Sequence, residues 1–159
     1  MSESGRTDST PLLNLLLEEA GQLRGFLVLL EKEQQALVDG DVDRLLPLAA
    51  EKNDAFGRLA RLGEARAQQL AEAGFGADRP GMEAWLARQP EARPAWEALL
   101  ALASRASDLN RSNGKLIASR LAHNQQALAT LLAAANQAAL YGPDGQARPV
   151  GGGRSLGSV

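Results

Sequence analysis

Residues 10–41 read TPLLNLLLEEAGQLRGFLVLLEKEQQALVDGD, and the pattern of this stretch decides the fold class. Threonine followed by proline suits the start of a helix, since threonine caps a helix and proline is tolerated at its first position. Apolar residues then recur at alternating intervals of three and four, which is typical of a helix that packs against other helices. The predicted seam contains Leu13, Leu16, Ala20, Leu23, Leu27, Leu30 and Leu37, with Gln34 at its polar position.

The end of this stretch predicts a tight turn into a second, antiparallel helix. Gly40 suits the left-handed residue that follows a helix, and Asp41 can cap the next one. A turn this short places the two helices side by side, so we expect a helical hairpin whose second helix covers about residues 42–73. The predicted seam of this helix contains Val42, Leu45, Ala49, Lys52, Phe56, Leu59, Gly63, Arg66 and Leu70.

Lys52 and Arg66 occupy positions of this seam where apolar residues are expected. In the interpretation that we prefer, their aliphatic stems cover the edge of the core while their charges reach water. In the alternative, they pair with polar groups of the first helix, such as Gln34, and fix the register of the hairpin.

The remainder of the chain predicts a connection, a long helix and a tail. Residues 74–94 are rich in glycine and proline, with one short helix expected around 82–89 and with Phe75, Trp85 and Leu86 packed on the long helices. The next helix is expected from about Pro94 to Ala139. We therefore predict an all-α fold: an antiparallel long-helix bundle or coiled coil over residues 1–140, with an N-terminal hairpin, a short connecting helix and one long C-terminal helix. Residues 141–159 contain six glycines and two prolines and predict a disordered tail.

Composition excludes several classes of function. The chain has no cysteine, which removes disulfides and thiol chemistry, and its 17 basic and 19 acidic residues are mixed, so no basic face predicts nucleic acid as a partner. No stretch predicts a signal peptide or membrane insertion, and we expect a cytoplasmic protein. The single histidine, His123, has no carboxylate one helical turn away, and GGGRS at 151–155 follows no strand. We expect no enzyme, no metal and no cofactor.

Residues 110–114, NRSNG, place poor helix formers in the middle of the long helix. Asn110 and Asn113 both fall on its predicted seam, where an amide costs stability but selects register, and Gly114 offers a point of bending. A register lock and a functional hinge are both open. The predicted seam contains Leu99, Ala103, Ala106, Asn110, Asn113, Ile117, Asn124, Leu128, Leu131, Ala135 and Ala138.

Residues 116–139 carry a broad apolar stripe that the shorter helices cannot cover together with the first half of the long helix. An apolar helical stripe without its own core predicts a docking surface for another helix. Self-association through this stripe is the alternative. The predicted binding residues are Ile117, Leu121, Asn124, Leu128, Leu131, Leu132 and Ala135.

Several segments resemble the FlgN-type flagellar export chaperones. They are NxxNG at 110–114, NQQAL at 124–128 and LYGPDGQ at 140–146, together with EK at 51–52 in the hairpin and WEAL at 96–99. The resemblance implies a chaperone without catalysis that binds the C-terminal helical segments of hook–filament junction proteins, prevents their premature assembly and delivers them to the flagellar export gate and export ATPase complex. It also implies that Tyr141 contacts the export gate. The competing interpretation is a homodimeric coiled-coil scaffold or adaptor without chaperone activity.

Overall fold

The computed structural model describes residues 10–140, with the side chains of residues 11–134. The helices are α1 (Thr10–Asp39), α2 (Val42–Glu72), α3 (Arg79–Arg88) and α4 (Arg93–Leu140), and a 3-10 turn, Pro90–Ala92, joins the last two. The all-α fold with a hairpin, a short helix and a long final helix is confirmed. The predicted single domain over 1–140 stays a prediction, and the predicted tail at 141–159 lies outside the described residues.

Contacts along the backbone divide the chain into two units, one ending at Ile117 and the other beginning at Ala118. The first unit contains α1, α2, α3 and the N-terminal half of α4. Over the described residues, the second unit is the continuation of α4 from Ala118 to Leu140. All the buried residues discussed below belong to the first unit.

The turn between α1 and α2 follows the predicted chemistry. Gly40 has φ 69°, a left-handed conformation that glycine adopts without a steric penalty. The amide of Gly40 donates to the Leu37 carbonyl at 3.3 Å, and that of Asp41 donates to the Ala36 carbonyl at 2.9 Å, which satisfies the last carbonyls of α1. The Asp41 side chain then accepts from the Arg44 amide at 3.4 Å and caps α2.

The short helix α3 begins earlier than expected, at Arg79, because Asp78 caps it by accepting from the Gly81 amide at 2.9 Å. Gly81 has no room for a side chain, since a Cβ there would lie 1.7 Å from the Gly76 carbonyl oxygen. Trp85 and Leu86 are buried in the core and Phe75 packs against it, as predicted.

The hydrophobic core uses a face of α2 that overlaps the predicted seam only in part, since Leu70 is buried and Leu59 packs against the core as predicted. Leu48 and Ala55 are buried, whereas the seam candidates Val42, Ala49 and Phe56 are exposed. The prediction was wrong for these residues because α2 carries two apolar stripes and only one faces the bundle. The core consists of Leu12, Leu16, Ala20, Leu23, Phe26, Leu27, Leu30, Ala55, Leu70, Met82, Trp85, Leu86, Ala92, Trp96, Leu99 and Ala106.

Within the first unit, the buried face of α4 also differs from the predicted seam at three positions. Ala103, Asn110 and Ile117 are exposed, while Leu102 and Leu109 pack against the core and Leu116 is half-buried. The observed face therefore passes through the residue that precedes each of those three candidates. Leu99, Ala106 and Asn113 are buried, as the heptad pattern predicted.

Candidate functional site

A polar cluster joins α1, α2 and α4 at the middle of the long helix. Asn113 is fully buried, and its Nδ2 donates to the Leu30 carbonyl at 2.9 Å and to Oε1 of Glu33 at 2.9 Å. Lys52 donates to the same Glu33 carboxylate at 3.2 and 3.4 Å. Oδ1 of Asn113 has no hydrogen-bond partner among the described residues. A buried carboxylate that holds one side chain from each of two other helices restricts how those helices can slide.

A second ion pair repeats this arrangement along the hairpin. Arg66 donates through Nε to Oε2 of Glu19 at 3.0 Å and through Nη2 to Oε1 at 3.3 Å. Its guanidinium also lies over the ring of Trp96, 5.2 Å from the centroid. This bidentate geometry is directional, so it fixes the position of α2 along α1.

These pairs correct the preferred interpretation of Lys52 and Arg66. Their charges bind buried carboxylates of α1 rather than extending into water, and the partners are Glu33 and Glu19 rather than Gln34. The sequence contained a signal for this pairing. Glu19 and Glu33 are two heptads apart, and so are Lys52 and Arg66, which is the spacing that an antiparallel hairpin brings into register.

Two of the three residues predicted to act as a register lock or hinge are not buried. Asn110 is exposed, and Gly114 is exposed with no atom within 4 Å of a Cβ built on it. Residues 110–114 are helical throughout. Asn113 alone of the three reaches the polar cluster, and hinge motion at Gly114 stays a prediction.

The predicted binding residues on the second unit form an exposed apolar stripe. The exposed fractions are 58% for Leu121, 66% for Leu128, 65% for Leu131 and 64% for Leu132, and Asn124 between them is also exposed. At about 100° per residue, these five positions lie within an arc of roughly 100° around the helix axis. Four large leucine side chains on one face can pack against the apolar face of another helix.

The other predicted partner-binding positions are placed differently. Ile117, the last residue of the first unit, is 46% exposed. The side chain of Ala135 and the whole of Tyr141 lie outside the described residues.

Apart from its apolar side chains, the exposed stripe carries few charged groups. Between residues 118 and 134 the only side chains of the ionisable types are Arg120 and His123, and no carboxylate is present. Within the described part of the chain, no group of three His, Cys, Asp or Glu residues could hold a metal ion. None of the helices between residues 10 and 140 combines the length and hydropathy that crossing a membrane requires. The arrangement can bind an apolar surface.

Comparisons with known proteins agree with this description. The sequence model of the FlgN protein family matches residues 8–149. A crystal structure from Pseudomonas aeruginosa, assigned to a flagella synthesis protein FlgN, is similar with 33% sequence identity and a TM-score of 0.63. The match covers 69% of this chain and 88% of that one. The search of curated proteins gave no match.

Proposed function

The chain belongs to the FlgN family, and from that premise we propose that it is a cytoplasmic flagellar export chaperone. It binds the C-terminal helical segments of hook–filament junction proteins and prevents their premature assembly. It then delivers these clients to the export gate and the export ATPase complex. It performs no catalysis.

The exposed leucine stripe of α4 is the observation that supports this proposal. Soluble proteins rarely leave a contiguous apolar surface in water unless it binds a partner. Leu121, Leu128 and Leu131 are each more than half exposed. Because burying a leucine completely contributes about 1.5–3 kcal/mol, each of these residues has about 1–2 kcal/mol left to gain from a partner.

The type of client follows from the same surface. A client segment that is helical and amphipathic can lay its own apolar stripe against these leucines, with contacts at intervals of three and four residues. The stripe has no acidic side chain and little positive charge, so the attraction is apolar rather than electrostatic. Entropic costs of association offset much of the burial, which suits a complex that must release its client at the export gate.

Binding of a synthetic C-terminal helical segment of a hook–filament junction protein tests the proposal. Isothermal titration calorimetry is expected to detect a complex with wild-type protein, and the double substitution of Leu128→Glu with Leu132→Glu is expected to weaken it at least 100-fold. The matched control is Ala122→Glu with Ala133→Glu, which places the same charges on the opposite, exposed side of the same helix. If both double variants lose affinity equally, or if neither does, the stripe is not the client site.

Delivery to the export gate is tested separately at Tyr141. Tyr141→Ala is expected to leave the affinity for the client segment within twofold of wild type and to reduce secretion of the junction protein in cells at least fivefold. An equal loss of binding and secretion would contradict the assignment of Tyr141 to the gate.

A further inference from the structure

A groove runs between α2 and the N-terminal half of α4, with α1 as its floor, and its volume is about 380 Å³. Leu23 and Phe26 form the floor and are buried, whereas Phe56 on the α2 side is 66% exposed. The groove lies within the first unit, at a position where a fourth helix could complete the bundle. The other lining residues of this α2–α4 groove are Lys52, Asn53, Leu59, Ala103, Ala106, Ser107 and Asn110.

The relative direction of the two walls follows from contacts described above. Asn113 shares the Glu33 carboxylate with Lys52. Nearer the N-terminus of α4, Trp96 lies under the guanidinium of Arg66, which is further along α2. Residue numbers therefore rise along α4 where they fall along α2, and the two walls are antiparallel.

This direction gives the groove a polar end and an apolar remainder. At 1.5 Å per residue, Asn53 and Asn110 lie within about 5 Å of Lys52 along the axis. Leu59 and Ala103 lie about 10–15 Å from Lys52 on the same scale. An occupant therefore meets apolar side chains along most of the groove and hydrogen-bonding groups at one end.

The shape of the walls fits a helix better than a compact ligand. The groove extends about 15 Å from Lys52 to Ala103, a distance that about ten helical residues span. Ala103 and Ser107 are small and exposed, so the axis of another helix can approach α4 closely. The exposed ring of Phe56 lies on the opposite wall and can insert between the side chains of that helix.

The polar end has donors and acceptors available for such a helix. Both hydrogen bonds of the Lys52 ammonium go to Glu33, but an ammonium has three donors and the Lys52 side chain is 24% exposed. Asn53 and Asn110 are exposed beside it. Lys52 is the only charged residue among those that line the groove, and Glu33 already offsets its charge. A neutral acceptor, such as an amide or a hydroxyl, therefore fits this end better than a carboxylate.

The sequence of α4 relates the groove to the proposed client site. A helix whose apolar residues repeat at intervals of three and four matches both surfaces, because the same intervals lead from the groove wall into the leucine stripe. A contact only ten residues long buries less than a standard stable interface, so it acts together with the stripe rather than alone. The residues at these intervals are Ala103, Ser107, Asn110, Gly114, Ile117, Leu121, Asn124, Leu128 and Leu131.

From these observations we propose that the α2–α4 groove is a second binding site for the client, occupied by about three turns of an amphipathic helix. The contact face of this helix is uncharged. Its apolar residues pack on Phe56, Leu59 and Ala103, and an amide or hydroxyl at one end accepts from Lys52. The inference rests on the proposed function, since the occupant is the class of helix that the leucine stripe binds.

Protection of a single cysteine tests where the client lies. The chain has no cysteine, so the Ser107→Cys variant carries one thiol, in the groove. A saturating amount of the synthetic C-terminal helical segment of a hook–filament junction protein is expected to slow its alkylation by iodoacetamide at least fivefold. The matched control is Ser112→Cys, the same change at an exposed residue of α4 that does not line the groove, and its rate is expected to stay within twofold.

Filling the groove tests whether binding depends on it. Ala103→Trp is expected to weaken the affinity for the segment at least tenfold in isothermal titration calorimetry, because the indole takes the space of the incoming helix. The matched control is Ala101→Trp, which places the same side chain at an exposed position outside the groove, and its affinity is expected to stay within twofold of wild type. Circular dichroism checks that both variants keep their helical content.

The outcomes separate this inference from the proposed function. If wild type binds the segment but Ser107→Cys is not protected, or if Ala103→Trp binds as tightly as wild type, the groove is not a client site although the proposed function stands. Protection of Ser107→Cys at raised chain concentration without any segment would assign the groove to a second copy of the chain and overturn the inference. If wild type does not bind the segment at all, the proposed function fails and the inference fails with it.

Discussion

Replacing Asn113 with alanine tests whether the polar cluster holds the long helix against the hairpin. The substitution removes a hydrogen bond to the Glu33 carboxylate and another to the Leu30 carbonyl, both 2.9 Å long. A bond to a charged group contributes about 1.5–3 kcal/mol and a neutral one about 0.5–1.5 kcal/mol. The loss is reduced by about 1 kcal/mol because the unpartnered Oδ1 of Asn113 is removed as well. We expect a net destabilisation of about 2 kcal/mol.

Urea unfolding followed by circular dichroism at 222 nm measures this loss. Asn110→Ala is a matched control, because it changes the same residue type three positions earlier on the exposed side of α4. Alanine is the better helix former, so the control is expected to leave stability unchanged or to raise it by up to about 0.7 kcal/mol. Equal effects of the two substitutions would refute the assignment of the register contact to Asn113.

A double-mutant cycle then separates coupling from simple loss of packing. Asn113→Ala and Glu33→Gln share one hydrogen bond, so their effects on the free energy of unfolding are expected to be non-additive by about 1 kcal/mol. Asn110→Ala combined with Glu33→Gln is expected to be additive within about 0.5 kcal/mol. Strict additivity in both cycles would mean that Asn113 acts through its volume alone.

Three further changes test separate parts of the structure. Gly81→Ala is expected to destabilise the chain by more than about 3 kcal/mol in urea unfolding, because the new Cβ would overlap a backbone atom, the Gly76 carbonyl oxygen. An unfolding midpoint equal to that of wild type would contradict the tight packing of α3. Glu19→Gln replaces the charged partner of Arg66 with a neutral one. Because the Arg66 side chain is one quarter exposed, we expect the free energy of unfolding to fall by about 2 kcal/mol, less than for a fully buried pair. A thermal unfolding curve that matches wild type would show that the pair contributes nothing to stability. Leu128→Glu is expected to lower the fluorescence of a bound apolar dye. Because the Leu128 side chain is 66% exposed, the melting temperature is expected to stay within about 1 °C of wild type. A lowered melting temperature would mean that Leu128 supports the fold.

The parts of the fold that could be predicted from sequence are those determined by local chemistry. The turn at Gly40 requires a left-handed residue and a capping side chain, and both requirements are met by adjacent residues. The exposed leucines of α4 were also predictable, because the two earlier helices are too short to cover a stripe of that length. Their role in binding a client remains a prediction.

The orientation of α2 could not be predicted in the same way. Its two apolar stripes have the same heptad period, so periodicity alone cannot decide which one faces the bundle. The choice depends on pairs separated widely in sequence, Glu19 with Arg66 and Glu33 with Lys52. A charged residue on a seam usually extends its charge into water, so the sequence pattern alone does not assign Lys52 and Arg66 to the buried carboxylates of α1.

The polar cluster also marks a change in burial along the part of α4 whose side chains are described. Among residues 93–134, Asn113 is the last that is buried, and from Ile117 to residue 134 every side chain is exposed. Glu33 and Lys52 lose less solvation at this edge of the core than they would deeper inside it, because the Lys52 side chain is still 24% exposed. An apolar layer there would favour sliding of α4 by one heptad, because leucine and alanine continue at the same spacing beyond it. An amide that needs both Leu30 and Glu33 penalises that slip, and it therefore fixes the register of residues 93–117 against α1.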